Sequence, residues 1–341
     1  MNKKSGKVTI YDVANSCGVS VATVSRVINH PGTVSDETRN RILKQMDEMG
    51  FENKDTDRKD RARSRGVIVV DCPSNVNPFY DQVIKGIYDY AGRIGYTVTS
   101  FTDSFLMEYA KPLISLAKKK SVVGFICMGR REEKILKDLS YIVPVVQCME
   151  WYDPIIPSLP SVSLSIYGMV NKALTHLIEE GAQKIVLLDY MLTTEYGKQV
   201  YTAYKSILKT RGIEYSDDMA FFLPPGFDQA YLQAMSCLKG DMPDAFICAG
   251  DEFAAASLRA ADRLGIEVPE DLKICGIGDS PYSGILSVPI STVSGMGQRL
   301  GEAACRLLTE RIASPYDSVT HDVINSELMI RSSTSLLSAK N

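Results

Sequence analysis

The sequence predicts two kinds of structure in one chain: a small all-α helix-turn-helix head, and behind it a larger two-lobed α/β body with parallel sheets flanked by helices. Three observations carry this. Residues 9–50 place apolar side chains at helical spacing, cut by Gly18 and by Pro31-Gly32. From Gly66 onward, short apolar runs alternate with helical segments, the pattern of parallel strands joined by crossover helices. The alternation runs twice, with a break near Val162. A chain of 341 residues has room for two or three such units.

In the head, Thr9-Ile10-Tyr11-Asp12 reads as a capping box, in which the Thr hydroxyl caps the helix and the Asp reaches back. Ile10, Val13 and Ala14 form the apolar stripe of this first helix, and Gly18 suits a left-handed turn after it. Ser20 caps a second helix, Val21 to Asn29, with Val24, Val27 and Ile28 inward. Ser35 caps a third, running to Gly50, with Ile42, Leu43, Met46 and Met49 inward. A helix, a tight turn and a short second helix rich in small polar residues is a DNA-reading arrangement. The start of the second helix enters the major groove. Val21 and Ala22 lack hydrogen-bonding groups and suit thymine methyls, whereas Arg26, one turn later, suits the O6/N7 edge of guanine. Thr9, Tyr11, Ser20, Thr23, Ser25 and Asn29 suit phosphates, contacts that position the head without reading sequence.

Charge agrees with a head that meets a polyanion. Residues 1–66 hold 13 Lys/Arg and 9 Asp/Glu, a balance of +4, and the remaining residues hold 25 and 32, a balance of −7. No apolar run reaches the roughly 18 residues a membrane span needs, and the polar, basic start Met1 to Lys7 has no apolar stretch behind it. A cytoplasmic protein with no membrane partner is therefore expected. The eight cysteines include no C-x-x-C pair, and the three histidines are far apart in sequence. Small buried thiols are expected, with no metal and no cofactor.

In the body the predicted order is strand Val67–Val70, helix 78–95, strand 96–101, helix 109–119, strand 122–127, helix 131–139 and strand 143–148. After Val162 come helix 167–180, strand 185–188, helix 198–211, strand 221–223, helix 228–238, strand 245–249, helix 251–264 and strand 273–277. The expected domains are 1–52 (head), 53–65 (charged linker) and 66–335 (body). Within the body, lobe 1 takes 66–163 and 294–319, and lobe 2 takes 164–293 and 320–335. Ligands of such sheets bind beyond the carboxyl ends of the strands, so two facing lobes make a cleft. No nucleophile elbow, phosphate loop, triad or metal cluster is legible, so no catalytic residue and no enzyme activity is expected.

The run from Thr9 to Ala14, followed by Gly18-Val19-Ser20-Val21-Ala22-Thr23-Val24-Ser25-Arg26-Val27-Ile28-Asn29, resembles the head of the lactose/galactose repressor (LacI/GalR) family, closest to its catabolite control protein type. Body landmarks extend the resemblance over nearly all of 66–335. They include Asn77-Pro78-Phe79-Tyr80, Pro243-Asp244-Ala245, Val268-Pro269-Glu270-Asp271-Leu272 and Ile330-Arg331-Ser332-Ser333. The resemblance implies a periplasmic-binding-protein-like body that dimerises, a palindromic operator as DNA partner, repression, and a small-molecule effector in the cleft. His176, mid-helix, is expected to be structural.

Two regions depart from the family. The linker has Asn53 where the family has Pro, and Asp60 where it has the Leu that wedges into the minor groove. A carboxylate cannot insert between base steps beside phosphates. In the cleft, Val200 stands for a family Arg, Gly250 for an Asn, Gly278 for the first Asp of a pair whose second is Asp279, and Met149-Glu150 for an Asp-Arg type pair. The candidate effector residues are Asn77, Phe79, Tyr80, Glu150, Trp151, Val200, Asp251 and Asp279. An aromatic wall with one carboxylate suits a carbohydrate stacked on its face, or a cationic or aromatic molecule. Control by a protein partner with no small-molecule effector is the alternative.

Overall fold

The structure, a computed structural model of the chain, describes residues 8–29, 31–49, 51, 66–73, 78–103, 110–129, 132–148 and 156–335. The linker expected at 53–65 lies outside the described residues.

The head consists of α1 (Ile10–Cys17), α2 (Val21–Asn29), a 3-10 turn at Pro31–Thr33, and α3 (Asp36–Glu48). Its caps are those the sequence encodes. The Thr9 N–H and hydroxyl both donate to Asp12 Oδ2, at 2.7 and 2.6 Å, and the Asp12 N–H returns a bond to Thr9 Oγ1. Gly18 takes the left-handed turn at φ +62°. The Thr23 N–H donates to Ser20 Oγ at 3.1 Å, and the Thr38 N–H to Ser35 Oγ at 3.4 Å. Val13, Ala14, Val24, Val27, Ile42 and Met46 close the core. A core this small leaves the head marginal, because little apolar surface leaves water.

The body has two six-stranded sheets. The first is built from β1 (Val67–Pro73), β2 (Thr97–Asp103), β3 (Val122–Met128), β4 (Val145–Cys148), β5 (Ser161–Leu164) and β11 (His321–Ile324), in the order β11-β5-β4-β3-β1-β2. Every pairing in it is parallel. The second is built from β6 (Ile185–Tyr190), β7 (Ala220–Leu223), β8 (Ala245–Cys248), β9 (Lys273–Ile277), β10 (Ser291–Ser294) and β12 (Glu327–Met329), in the order β12-β10-β9-β8-β6-β7. Only the β10–β12 pair in this sheet is antiparallel. Strands β3, β4 and β8 are buried along their whole length, as the unbroken apolar runs require of a sheet covered on both faces.

The helices are α4 (Pro78–Ile94), α5 (Ala110–Ala117) and α6 (Glu133–Ser140) in the first half, and α7 (Ile166–Glu179), α8 (Glu195–Arg211), α9 (Phe227–Lys239) and α10 (Asp251–Leu264) in the second. The last, α11 (Gly297–Ala313), returns to pack on α4. That contact is close enough to demand glycine. A Cβ at Gly86 would lie 2.0 Å from the Gln298 carbonyl, and one at Gly301 would lie 2.0 Å from the Val83 carbonyl.

One expected boundary is corrected. Residues 320–335 do not belong wholly to the second lobe, because β11 extends the edge of the first sheet beside β5. Ser161 Oγ and His321 Nδ1 hydrogen-bond at 2.8 Å across that edge, and only β12 joins the second sheet. The chain thus passes between the sheets after β5, after β10 and between β11 and β12.

Candidate nucleic-acid interface and ligand cleft

Capping decides which face of α2 is free. Val24 and Val27 turn inward, so Ala22 and Arg26 are left exposed on the opposite side, with Val21, Thr23 and Ser25 half-buried. Tyr11 on α1 is 66% exposed, and Thr9 and Ser20 are exposed beside the two helix starts. Thr9 and Tyr11 lie at the N-terminal end of α1 and Ser20 to Thr23 at that of α2, where the first turn of a helix offers N–H groups to phosphate, whereas Arg26 lies in the last turn of α2. Asn29 lies in the last turn of α2. The hydroxyls of Thr9 and Ser20 already serve as caps, so a phosphate bound there would share them.

In the body, β6, β7, β8 and β9 present their carboxyl ends at one side of the second sheet. A hydrogen bond from Gln82 Nε2 on α4 to the Asp279 carbonyl, at 3.0 Å, joins this side to the first lobe. The segments after β1 to β4 lie largely outside the described residues, and with them fall the expectations for Asn77, Glu150 and Trp151. Phe79 is half-buried and packs on the β10–α11 passage, where a Cβ on Gly295 would come within 2.9 Å of its ring. Tyr80 is buried in the core.

Val200 is corrected: it is 0% exposed and sealed in the core, so it offers no surface to a ligand. Its helix starts at Glu195, capped by Thr194, three residues before the predicted start. Asp251 is corrected in role. Its carboxylate is buried and committed, with Oδ2 accepting from the Ser280 N–H at 2.5 Å and Oδ1 from the Thr292 hydroxyl at 2.7 Å. Burial raises its pKa, against the lowering by those donors. It ties the loop after β9 to strand β10. Asp279 adopts φ +52° and accepts from Arg331 Nη2 at 2.7 Å. Arg331 also donates from Nη1 to the Ile290 carbonyl at 2.8 Å and to Ser283 Oγ at 3.2 Å.

The residues that shape this side were not singled out from sequence. Tyr190, at the end of β6, donates its hydroxyl to Glu252 Oε1 at 3.1 Å. Its ring packs edge-on to Tyr196 at 5.7 Å and lies 4.7 Å from Phe253. Tyr196 donates to the Ala249 carbonyl at 2.7 Å. Glu252 Oε1 also accepts from the Gly226 N–H at 3.3 Å. Gly250 makes the cluster possible, since a Cβ there would sit 2.3 Å from Tyr190 Oη. The available signal was Tyr190 two residues beyond the apolar run Ile185–Leu188, after Asp189, at a strand's carboxyl end.

Two buried groups complete the picture. His176 Nε2 hydrogen-bonds Thr334 Oγ1 at 2.7 Å, and burial lowers its pKa, which keeps the ring neutral. Asp189, fully buried beside Tyr190, has one carboxylate oxygen without a partner, and burial pushes its pKa up to about 8. Among the described residues no group of three or more metal-binding side chains occurs, and no helix is long and apolar enough to cross a membrane.

Residues 9–53 match the model of bacterial regulatory proteins of the lacI family, and residues 174–334 match the periplasmic binding protein-like domain. The ribose operon repressor of Bacillus subtilis is 31% identical over 304 residues, covering 88% of this chain and 90% of that protein. The HTH-type transcriptional repressor PurR of Mannheimia succiniciproducens is 28% identical, covering 95% and 98%. The solved lac repressor dimer, bound to operator and the anti-inducer ONPF, superposes with a TM-score of 0.69 at 21% identity, covering 96% of this chain and 99% of that one.

Proposed function

The chain belongs to the lacI family of bacterial regulatory proteins, and on that premise we propose that it is a repressor that binds a palindromic operator as a homodimer and is switched by a small molecule held between its lobes. The observation that carries the DNA-reading part is the exposed Ala22–Arg26 face, presented by a head whose core is complete without it. One head of this size reads only a few base pairs, and a two-fold dimer doubles the contacts. The lac repressor structure, a dimer on operator with a ligand bound, supports the same assembly for this chain. Selection from random duplexes with the full chain should enrich two-fold symmetric sites. Enrichment of single asymmetric half-sites would reject the dimeric reading.

Effector control needs a ligand that binds one lobe arrangement better than the other, because equal affinity shifts nothing. The three chain passages between the sheets provide the articulation, and the Gln82–Asp279 bond is a contact that changes if the lobes move. Arg26 supplies the base readout, and Thr9, Tyr11, Ser20, Thr23, Ser25 and Asn29 the phosphate contacts. Asp60 in place of a wedging apolar residue leads to weak bending of the operator. A sharp central kink in circularly permuted gel shifts would contradict that.

Control by a protein partner is the second reading. Its support is that Val200 is sealed in the core, while Gly250 and Gly278 carry no side chain, so three expected ligand positions offer no polar group. Operator binding that responds to a protein fraction of a bacterial extract, and not to its small molecules, would favour it.

A further inference from the structure

Resting on the DNA-reading face inferred above, we propose that Arg39 and Tyr141 are positioning residues for operator binding: the Arg39 guanidinium seats the head on a tyrosine ring of the first lobe and so holds the reading face ready for DNA. Head and body meet on that ring. The guanidinium carbon of Arg39, on α3, lies over Tyr141, 4.9 Å from the ring centroid. Gly32, in the turn before α3, faces the same ring, and a Cβ there would come within 3.1 Å of it. Lys137, in the last turn of α6, is held above its ordinary pKa first by Glu133 and, in smaller part, by the Asp36 carboxylate of the head.

Both partners are held in place. Arg39 Nη1 pairs with Asp36 Oδ1 at 2.8 Å, one turn back on α3, and the Arg39 side chain is only 17% exposed. The pair balances its charge and leaves the flat face of the guanidinium for an aromatic surface, the contact a planar, weakly hydrated cation favours. Tyr141 is the residue that ends α6. Its N–H donates to the Lys137 and Leu139 carbonyls, and Leu136, Leu139 and Val143 around it are core residues of the first lobe. The ring therefore moves with the lobe. Seat and reading face do not compete: with the head in place, Ala22, Arg26 and Tyr11 remain exposed. A head held by the linker alone must be ordered at each binding event, and that cost is subtracted from affinity. The linker carries Asp60, and a carboxylate adds no anchor between base steps. The Arg39–Tyr141 contact supplies a hold that does not depend on the linker, and a shift of the first lobe carries the head with it.

The test uses the full chain and an operator obtained by selection, labelled for fluorescence anisotropy. Tyr141→Leu lies outside the head and keeps an apolar side chain. It should weaken operator binding by roughly three- to thirty-fold, the span of a cation–π contact. Tyr141→Phe, which keeps the ring, should restore most of that affinity. Arg39→Met should also weaken binding, and its effect should shrink by about three-fold or more in the Tyr141→Leu background, where the ring is already gone. Thermal melting of each chain, with the head transition in place, separates loss of the seat from loss of the head. Unchanged affinity in Tyr141→Leu overturns the seat and leaves the DNA reading standing. So does additive weakening by the two substitutions. Tighter binding by Tyr141→Leu overturns it as well, because the contact would then restrain the head rather than present it. A parent chain that binds no duplex in the selection overturns the DNA reading, and this proposal with it.

Discussion

The head and the strand ends of the second lobe use polar side chains in opposite ways. In the head the caps satisfy the helix starts from within, and the face proposed to read DNA is left over: Ala22, Arg26 and Tyr11 stand exposed outside the head core. At the strand ends of β6, β8 and β9 the functional groups are held by one another, Tyr190 by Glu252, Asp279 by Arg331 and Asp251 by two donors. A surface that meets a rigid, charged duplex can be made of independent side chains. A surface that surrounds a small molecule must be preorganised, since each unpaired group costs free energy when water leaves.

The largest expected break in the comparison comes from the head core. Ile42→Ala removes a fully buried side chain and should cost about 2–5 kcal/mol. Operator gel shifts should vanish while the body's thermal transition stays in place. Loss of both transitions together would mean that head and body fold as one unit.

Asp189 offers a test by pH in the body alone. Its folded pKa, near 8, lies above the unfolded carboxylate value, so the folded state binds the proton more tightly. Its contribution to stability is greatest in acid and declines as pH rises from about 4 to about 8, by up to roughly 1.4 kcal/mol per unit. Asp189→Asn should remove that decline. Its melting temperature should gain on the parent chain with each step from pH 5 to pH 8, and a constant difference would contradict the assignment.

Arg26→Ala should cost about 1–3 kcal/mol of operator affinity and relax the preference for guanine at one position per half-site. Binding measured across operator variants separates this from a phosphate contact, whose loss weakens all sequences alike. The smallest effect belongs to the site's packing. Gly250→Ala should destabilise the body by about 1 kcal/mol, because the new methyl meets the Tyr190 hydroxyl. In the Tyr190→Phe background most of that cost should disappear in a double-mutant cycle.

The head was legible nearly residue by residue. Thr9 with Asp12, Gly18, Ser20 and Ser35 are local signals, and each acts within about four residues of itself. The alternating body was legible as strands and helices for the same reason, down to the bounds of α10 and β9. The cleft was legible only in part. Val200 was placed in the site when the helix start at Glu195 buries it, and Asp251 was offered to a ligand when Ser280 and Thr292 hold it. Tyr190 and Glu252 are 62 residues apart in sequence, and nothing near either announces the other.

What the sequence determined by itself is therefore what near neighbours decide: the capped helices, the exposed face of α2, the strand runs, and the membership that its motifs carry. Tertiary structure alone decided that His321–Ile324 edges the first sheet, that Gly250 exists to admit Tyr190, and which polar groups spend their hydrogen bonds on each other. The physical reason is range. Backbone capping and periodic burial act over one or two turns, whereas pairing between strand ends depends on how whole sheets bring distant residues together.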